Sequence, residues 1–154
     1  MQVFAEKKSE ILAKWLERTL ATYPHQMQRF LHDEKDRFRN PVGHTLREGL
    51  AALLDELMGA MDLAKIRPAL ESIVRLRAVQ DFTPSQAVGF VYLLREIMEE
   101  ERADGKPAEA QKRIDEMALL AFDLYVKCRE EIDAIKAREA QRKVYVLERM
   151  RQRA

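Results

Sequence analysis

The chain has 154 residues, a net charge of +1, 47% apolar and 34% charged side chains, and five glycines and five prolines. That length supports one domain with its own core, and the composition is that of a helical protein. The near-neutral charge argues against nucleic acid as a partner, and no apolar run approaches the roughly 20 residues of a membrane span.

The opening "MQVFAEKKSE" lacks the apolar core of a secretion signal, so a cytoplasmic location is expected. The first helix runs through "SEILAKWLERTLATYP", with Ile11, Leu12, Trp15, Leu16 and Leu20 at helical spacing. It stops at Tyr23-Pro24, because a residue before proline avoids the helical region. A short helix or turn follows, "HQMQRFLHDEKDRF", with Met27, Phe30 and Leu31 directed inward. Asn40 as N-cap and Pro41 in the first position then restart the chain, and Leu46, Leu50, Leu53, Leu54 and Leu57 form a broad apolar stripe.

The next helix is expected from near Pro68 to Gln80. Thr83, Pro84 and Gln86 open another through a capping box, and it runs to about Ala103 before the break at "DGKP". From Pro107 nothing interrupts the chain, which reads as one helix of over forty residues. Its first half carries Ile114, Met117, Ala121, Leu124, Tyr125, Cys128 and Ile132 on one face, widened by Leu119, Leu120 and Phe122. From Lys136 onward seven Lys/Arg stand against two Glu, and Val144, Leu147 and Met150 are the remaining stripe. Residues 1–135 are therefore expected to form the all-α bundle, of about five main helices. Residues 136–154 would be a basic extension of the last helix, available to a partner because an isolated helix of that length is marginal in water. The same basic charges suit a helix C-terminus and its dipole, so nucleic acid remains an unlikely use for them.

Catalytic patterns are missing. There is no glycine-rich phosphate loop, no HExxH, and no histidine three residues after a Glu as in ferritin-type metal sites. No catalytic site is expected, and no cofactor or metal. His25, His32 and His44 lie close together in sequence and would have to serve the rival reading, a haem- or metal-binding sensor, although positions near turns suit surface or capping histidines better. Cys128, the single cysteine, excludes an internal disulfide; on a continuous apolar face it suits a small buried side chain better than a redox sensor.

The stretch "RLRAVQDFTPSQA" is different. On a wheel of about 100° per residue, Ile66, Leu70, Ile73 and Val74 define an apolar face with Arg77 near its middle and Gln80 and Asp81 on either side. Arg77 and Asp81 are four apart and are expected to be buried and paired, since burying either alone costs several kcal/mol. With Gln86 they form either a closed structural cluster that caps the next helix or a network completed by a small polar or anionic ligand.

The blocks "EKDRFRNPVGHTL", "RAVQDFTPSQAVGFVYLLREI" and "ALLAFDLYVKCREEI" resemble, in order and spacing, the N-terminal sensing domain of RsbRD-type co-antagonists, relatives of the bacterial stressosome RsbR proteins. The resemblance implies a non-enzymatic, globin-like helical input domain without haem. It also implies dimers formed through the helical module, and a signalling protein or a membrane complex as further partner. In such sensors the last helix leads to a STAS output domain, which is not recognised within these 154 residues.

Overall fold

A computed structural model describes residues 2–101 and 107–153, and every regular element among them is helical. Five longer helices, α1 (Gln2–Leu20), α3 (Pro41–Leu57), α4 (Leu63–Val79), α6 (Phe90–Glu101) and α7 (Pro107–Arg153), are joined by the short α2 (His25–Asp33) and α5 (Pro84–Val88). The chain is an all-α single domain. No helix among the described residues is long and apolar enough to cross a membrane.

The local rules act where expected at two starts. Asn40 accepts a bond from the Gly43 N–H at 3.0 Å, with Pro41 following. Its amide also donates to the carbonyls of Leu31 and Glu34, so one buried side chain ends α2 and begins α3. Thr83 and Gln86 make the reciprocal capping box of α5. The start of α4 is earlier than Pro68: the Asp62 carboxylate accepts from the Ala64 N–H at 3.0 Å and opens the helix at Leu63. Pro68 then stands inside α4, forgoing the one backbone bond its missing N–H would make.

The core lies where α3 meets α4, α4 meets α7, and α1 meets α6. Trp15, Leu46, Leu50, Ile66, Leu70 and Leu94 are fully buried in it. α3 and α4 approach closely at Gly49, where a Cβ would stand 2.6 Å from Ile73 Cδ1. Cys128 is fully buried in the same core, and burial pushes its thiol pKa up.

Three expectations are corrected. In α2 only Leu31 is buried, while Met27 and Phe30 are 41% and 50% exposed, because α2 meets the bundle along one narrow edge. In α7 the buried face is narrower than the apolar pattern: Leu124 is buried and Leu120 half-buried, but Leu119 and Phe122 are 68% and 49% exposed. Both positions lie outside the face that Ile114, Met117, Ala121, Leu124 and Cys128 bury. The helix expected from Thr83 to about Ala103 is interrupted at Gly89, between α5 and α6. Its expected end near Ala103, and the break at Asp104–Lys106, lie outside the described residues.

Candidate functional site

Arg77, at the last turn of α4, has no exposed surface. Its Nε donates to the Ala87 carbonyl at 3.1 Å, Nη2 to the Gln86 carbonyl at 2.8 Å, and Nη1 to Thr22 Oγ1 at 3.2 Å. These are the carbonyls that an unbroken helix would offer to the N–H groups of Phe90 and Val91. The guanidinium competes for them, and the interruption at Gly89 falls there. Trp15 Nε1 donates to the Phe90 carbonyl at 2.7 Å one residue further on, so two side chains from other helices hold the junction between α5 and α6.

Aromatic faces complete the surroundings. The guanidinium carbon is 4.2 Å from the ring centroid of Phe82 and 5.6 Å from those of Tyr23 and Phe90. Such faces stabilise a cation that has been removed from water. Among the described residues no carboxylate pairs with Arg77. Burial lowers its pKa from the usual arginine value, with the neighbouring Tyr23 opposing the shift. Burial in turn raises the Tyr23 pKa, against the pull of Arg77, and the Tyr23 hydroxyl has no hydrogen-bond partner among the described residues.

Asp81 is not the partner of Arg77. α4 ends at Val79 and Gln80 caps it, so the helical spacing that would bring positions 77 and 81 together stops short. Asp81 takes a left-handed backbone (φ 62°) and is exposed. Gln80 is half-buried, and its Oε1 has no partner. Gln86 is exposed; its side chain serves the cap and its carbonyl serves Arg77.

Gln80, Asp81 and Gln86 nevertheless come together. With Thr22, Tyr23, Met27 and Phe82 they line an open cleft of about 490 Å³ above the buried guanidinium. Tyr23 and Phe82 meet edge to face at 5.3 Å between them. The aromatic members were not legible as site residues, because Tyr23 reads as a helix stop and Phe82 as a loop residue. Both functions are true of the sequence, and only the tertiary approach of α1 to the α4–α5 junction adds the third.

The cleft is tied to α7. Tyr125 Oη donates to the Phe82 carbonyl at 3.2 Å, and Arg129 Nη1 to the Ala78 carbonyl at 3.3 Å. Arg75 and Lys127 bridge the same two helices through Glu71 and Glu131. Beyond this contact every residue from Asp133 to Arg153 is exposed. Val144, Leu147 and Met150 are there, 55%, 64% and 64% exposed, and the structure does not bring them to the cleft.

The three histidines do not converge on an interior site. His25 and His32 are exposed, His32 beside Asp33, and the half-buried His44 faces Glu48 at 3.2 Å. No group of three or more metal-ligating side chains occurs among the described residues. The haem or metal reading therefore has no support in the placement of these residues.

A protein-family model described as "RsbT co-antagonist protein rsbRD N-terminal domain" matches residues 9–140. No curated protein and no solved structure matches the chain.

Proposed function

The chain belongs to the RsbRD N-terminal domain family, and on that footing we propose that it is a non-enzymatic sensory or regulatory module that acts by binding. In this reading the cleft bounded by Gln80, Asp81 and Gln86 over Arg77 receives a small polar ligand or a partner loop. The exposed half of α7, with Val144, Leu147 and Met150, carries the outcome to a protein partner or to a second copy of the chain. A signalling protein is the partner class that the family's description favours, and the cytoplasm is the compartment that suits it.

The observation that carries the reading is the double role of Phe82. Its ring lies on the buried Arg77 and its carbonyl accepts from Tyr125 of α7. Anything that shifts the α4–α5 junction must therefore displace an anchor of the long helix. Deleting residues 137–154 tests the role of the tail. Thermal melts should show the bundle still folded, while sedimentation should show association weakened. Unchanged association would remove the tail from the function, and loss of folding would place it in the core.

A further inference from the structure

The cleft over Arg77 brings together two opposite charges and two polar atoms that the fold itself leaves without partners. Beneath it the Arg77 guanidinium is fully buried, and among the described residues no carboxylate answers it. On its wall the Asp81 carboxylate is exposed and has no ion-pair partner among the described residues. The left-handed backbone at Asp81 (φ 62°) turns the chain directly after α4 and sets this residue at the cleft. Tyr23 and Gln80 line the same cleft, and the Tyr23 hydroxyl and Gln80 Oε1 are both buried without a hydrogen bond. Gln80 Oε1 needs a donor. The Tyr23 hydroxyl has a proton to donate, and the positive charge of Arg77 beside it strengthens that donor. Polar atoms left in this way cost free energy that a matching ligand recovers.

These demands select a class of ligand. A simple anion answers Arg77 and Tyr23, but it meets the Asp81 carboxylate and leaves Gln80 Oε1 without a donor. A simple amine answers Asp81 and Gln80, but it places a second positive charge over Arg77. A loop of a partner protein brings neutral N–H and C=O groups and leaves both charges unopposed. A molecule with one carboxylate and one ammonium satisfies all four groups at once. Pro24, Met27 and Phe82 add apolar surface to the same walls, and about 490 Å³ is in the range of small-molecule sites.

We propose that the cleft binds a small zwitterion, a free amino acid with an apolar side chain. Its carboxylate accepts from the Tyr23 hydroxyl on the Arg77 side, and its ammonium donates to Gln80 Oε1 and faces Asp81. The proposal rests on the reading above that the cleft receives a small polar ligand, and it names the class of that ligand. The two unpartnered atoms are shielded from solvent, so the ligand reaches them by displacing a side chain of the wall. Met27, 41% exposed and unbranched, is the most adaptable of these.

The test titrates the full chain with four probes, followed by calorimetry and by the backbone amide signals within residues 22–27 and 80–87. L-leucine carries both charges, 4-methylpentanoate only the negative one, 3-methylbutylamine only the positive one, and N-acetyl-L-leucine amide neither. L-leucine should bind with a Kd of about 1 mM or tighter and shift those signals, and each singly charged probe should bind at least about tenfold more weakly. Asp81→Asn keeps a residue that accepts the left-handed backbone. It should weaken leucine binding about tenfold, while binding of 4-methylpentanoate holds or strengthens. If N-acetyl-L-leucine amide bound as tightly as leucine with the same shifts, the zwitterion would be overturned and the cleft would stand as a site for a partner loop. A singly charged probe that matched leucine would also overturn it. No shift in those signals with any probe at about 10 mM would overturn the proposal and the cleft reading together.

Discussion

The guanidinium carbon of Arg77 stands 4.2 Å from the centroid of the Phe82 ring while its Nε and Nη2 hold the carbonyls of Ala87 and Gln86. The side chain thus fills core volume and satisfies backbone at once, and its loss should depend on what replaces it. Arg77→Ala leaves both a cavity and two carbonyls without their donor, and should cost about 3 kcal/mol. Arg77→Met leaves the same carbonyls without their donor but keeps most of the volume, and should cost about 1–2 kcal/mol less than Arg77→Ala. Urea unfolding followed by circular dichroism separates the two. Equal losses would mean that packing against Phe82 contributes little.

Asp81, by contrast, is exposed and left-handed. Asp81→Gly should stabilise the protein by up to about 1 kcal/mol, because glycine adopts that backbone without a Cβ penalty, partly offset by greater freedom when unfolded. A loss above about 1 kcal/mol in the same unfolding assay would show that the carboxylate has a partner after all.

Tyr23 gives a pH dependence of known sign. Burial raises its pKa in the folded chain, so the folded state holds the phenolic proton more tightly than the unfolded state. Its contribution is intact below about pH 10, the ordinary tyrosine value, and is lost as pH rises from there through the folded pKa. Arg77, whose pKa burial lowers, acts in the opposite sense at still higher pH. Stability measured between pH 8 and 11, about the tyrosine range, should fall more steeply in the wild type than in Tyr23→Phe. Parallel profiles would remove Tyr23 as the titrating group.

Asn40 is a donor and an acceptor together, which no substitute reproduces. Asn40→Ala should cost about 2–3 kcal/mol, the cap plus the carbonyls of Leu31 and Glu34 left without their donor. Asn40→Asp keeps the acceptor but sets a buried carboxylate against those carbonyl oxygens. Its deficit should therefore be larger at neutral pH than at about pH 4, where the carboxyl takes up a proton. Melting temperatures at the two pH values check the ordering against wild type.

Gly49 sits where α3 and α4 touch. A valine there would drive its side chain into Ile73, and overpacking of this kind costs about 1–3 kcal/mol. Pairing Gly49→Val with Ile73→Ala should recover part of the loss. No recovery would place the strain on the backbone rather than on the Ile73 side chain.

What could be read from the sequence was mostly local. Asn40-Pro41 and Thr83-Pro84-Gln86 fix helix starts through bonds within three residues, and both are present. Periodicity also carried Arg77 into the core, since a residue on the middle of an apolar face follows that face inward. Its partners were not legible, because Gln86, Ala87 and Thr22 are brought to it by the turn after α4 and by the end of α1. Asp81 was misplaced for a related reason: a wheel assumes that the helix continues, and Gln80 ends it. Leu119 and Phe122 show the remaining limit. Apolar character does not say which neighbour covers a face, and on α7 the bundle covers only one.

The tethered part of α7 ends near Arg129 and Glu131, held to α4 at Ala78 and Arg75. Beyond it the helix continues for about 30 Å at 1.5 Å per residue. A rotation of about 10° at that fulcrum sweeps the tip through about 5 Å, on the order of one helical pitch. The displacement at Phe82 needed to start such a rotation is a fraction of that, since Tyr125 lies only one turn from the fulcrum. From that fulcrum it is one turn back to Tyr125, which bonds the Phe82 carbonyl beside the cleft, and about six turns out to the exposed end. A tilt that shifts Tyr125 slightly would therefore carry the exposed end several times as far.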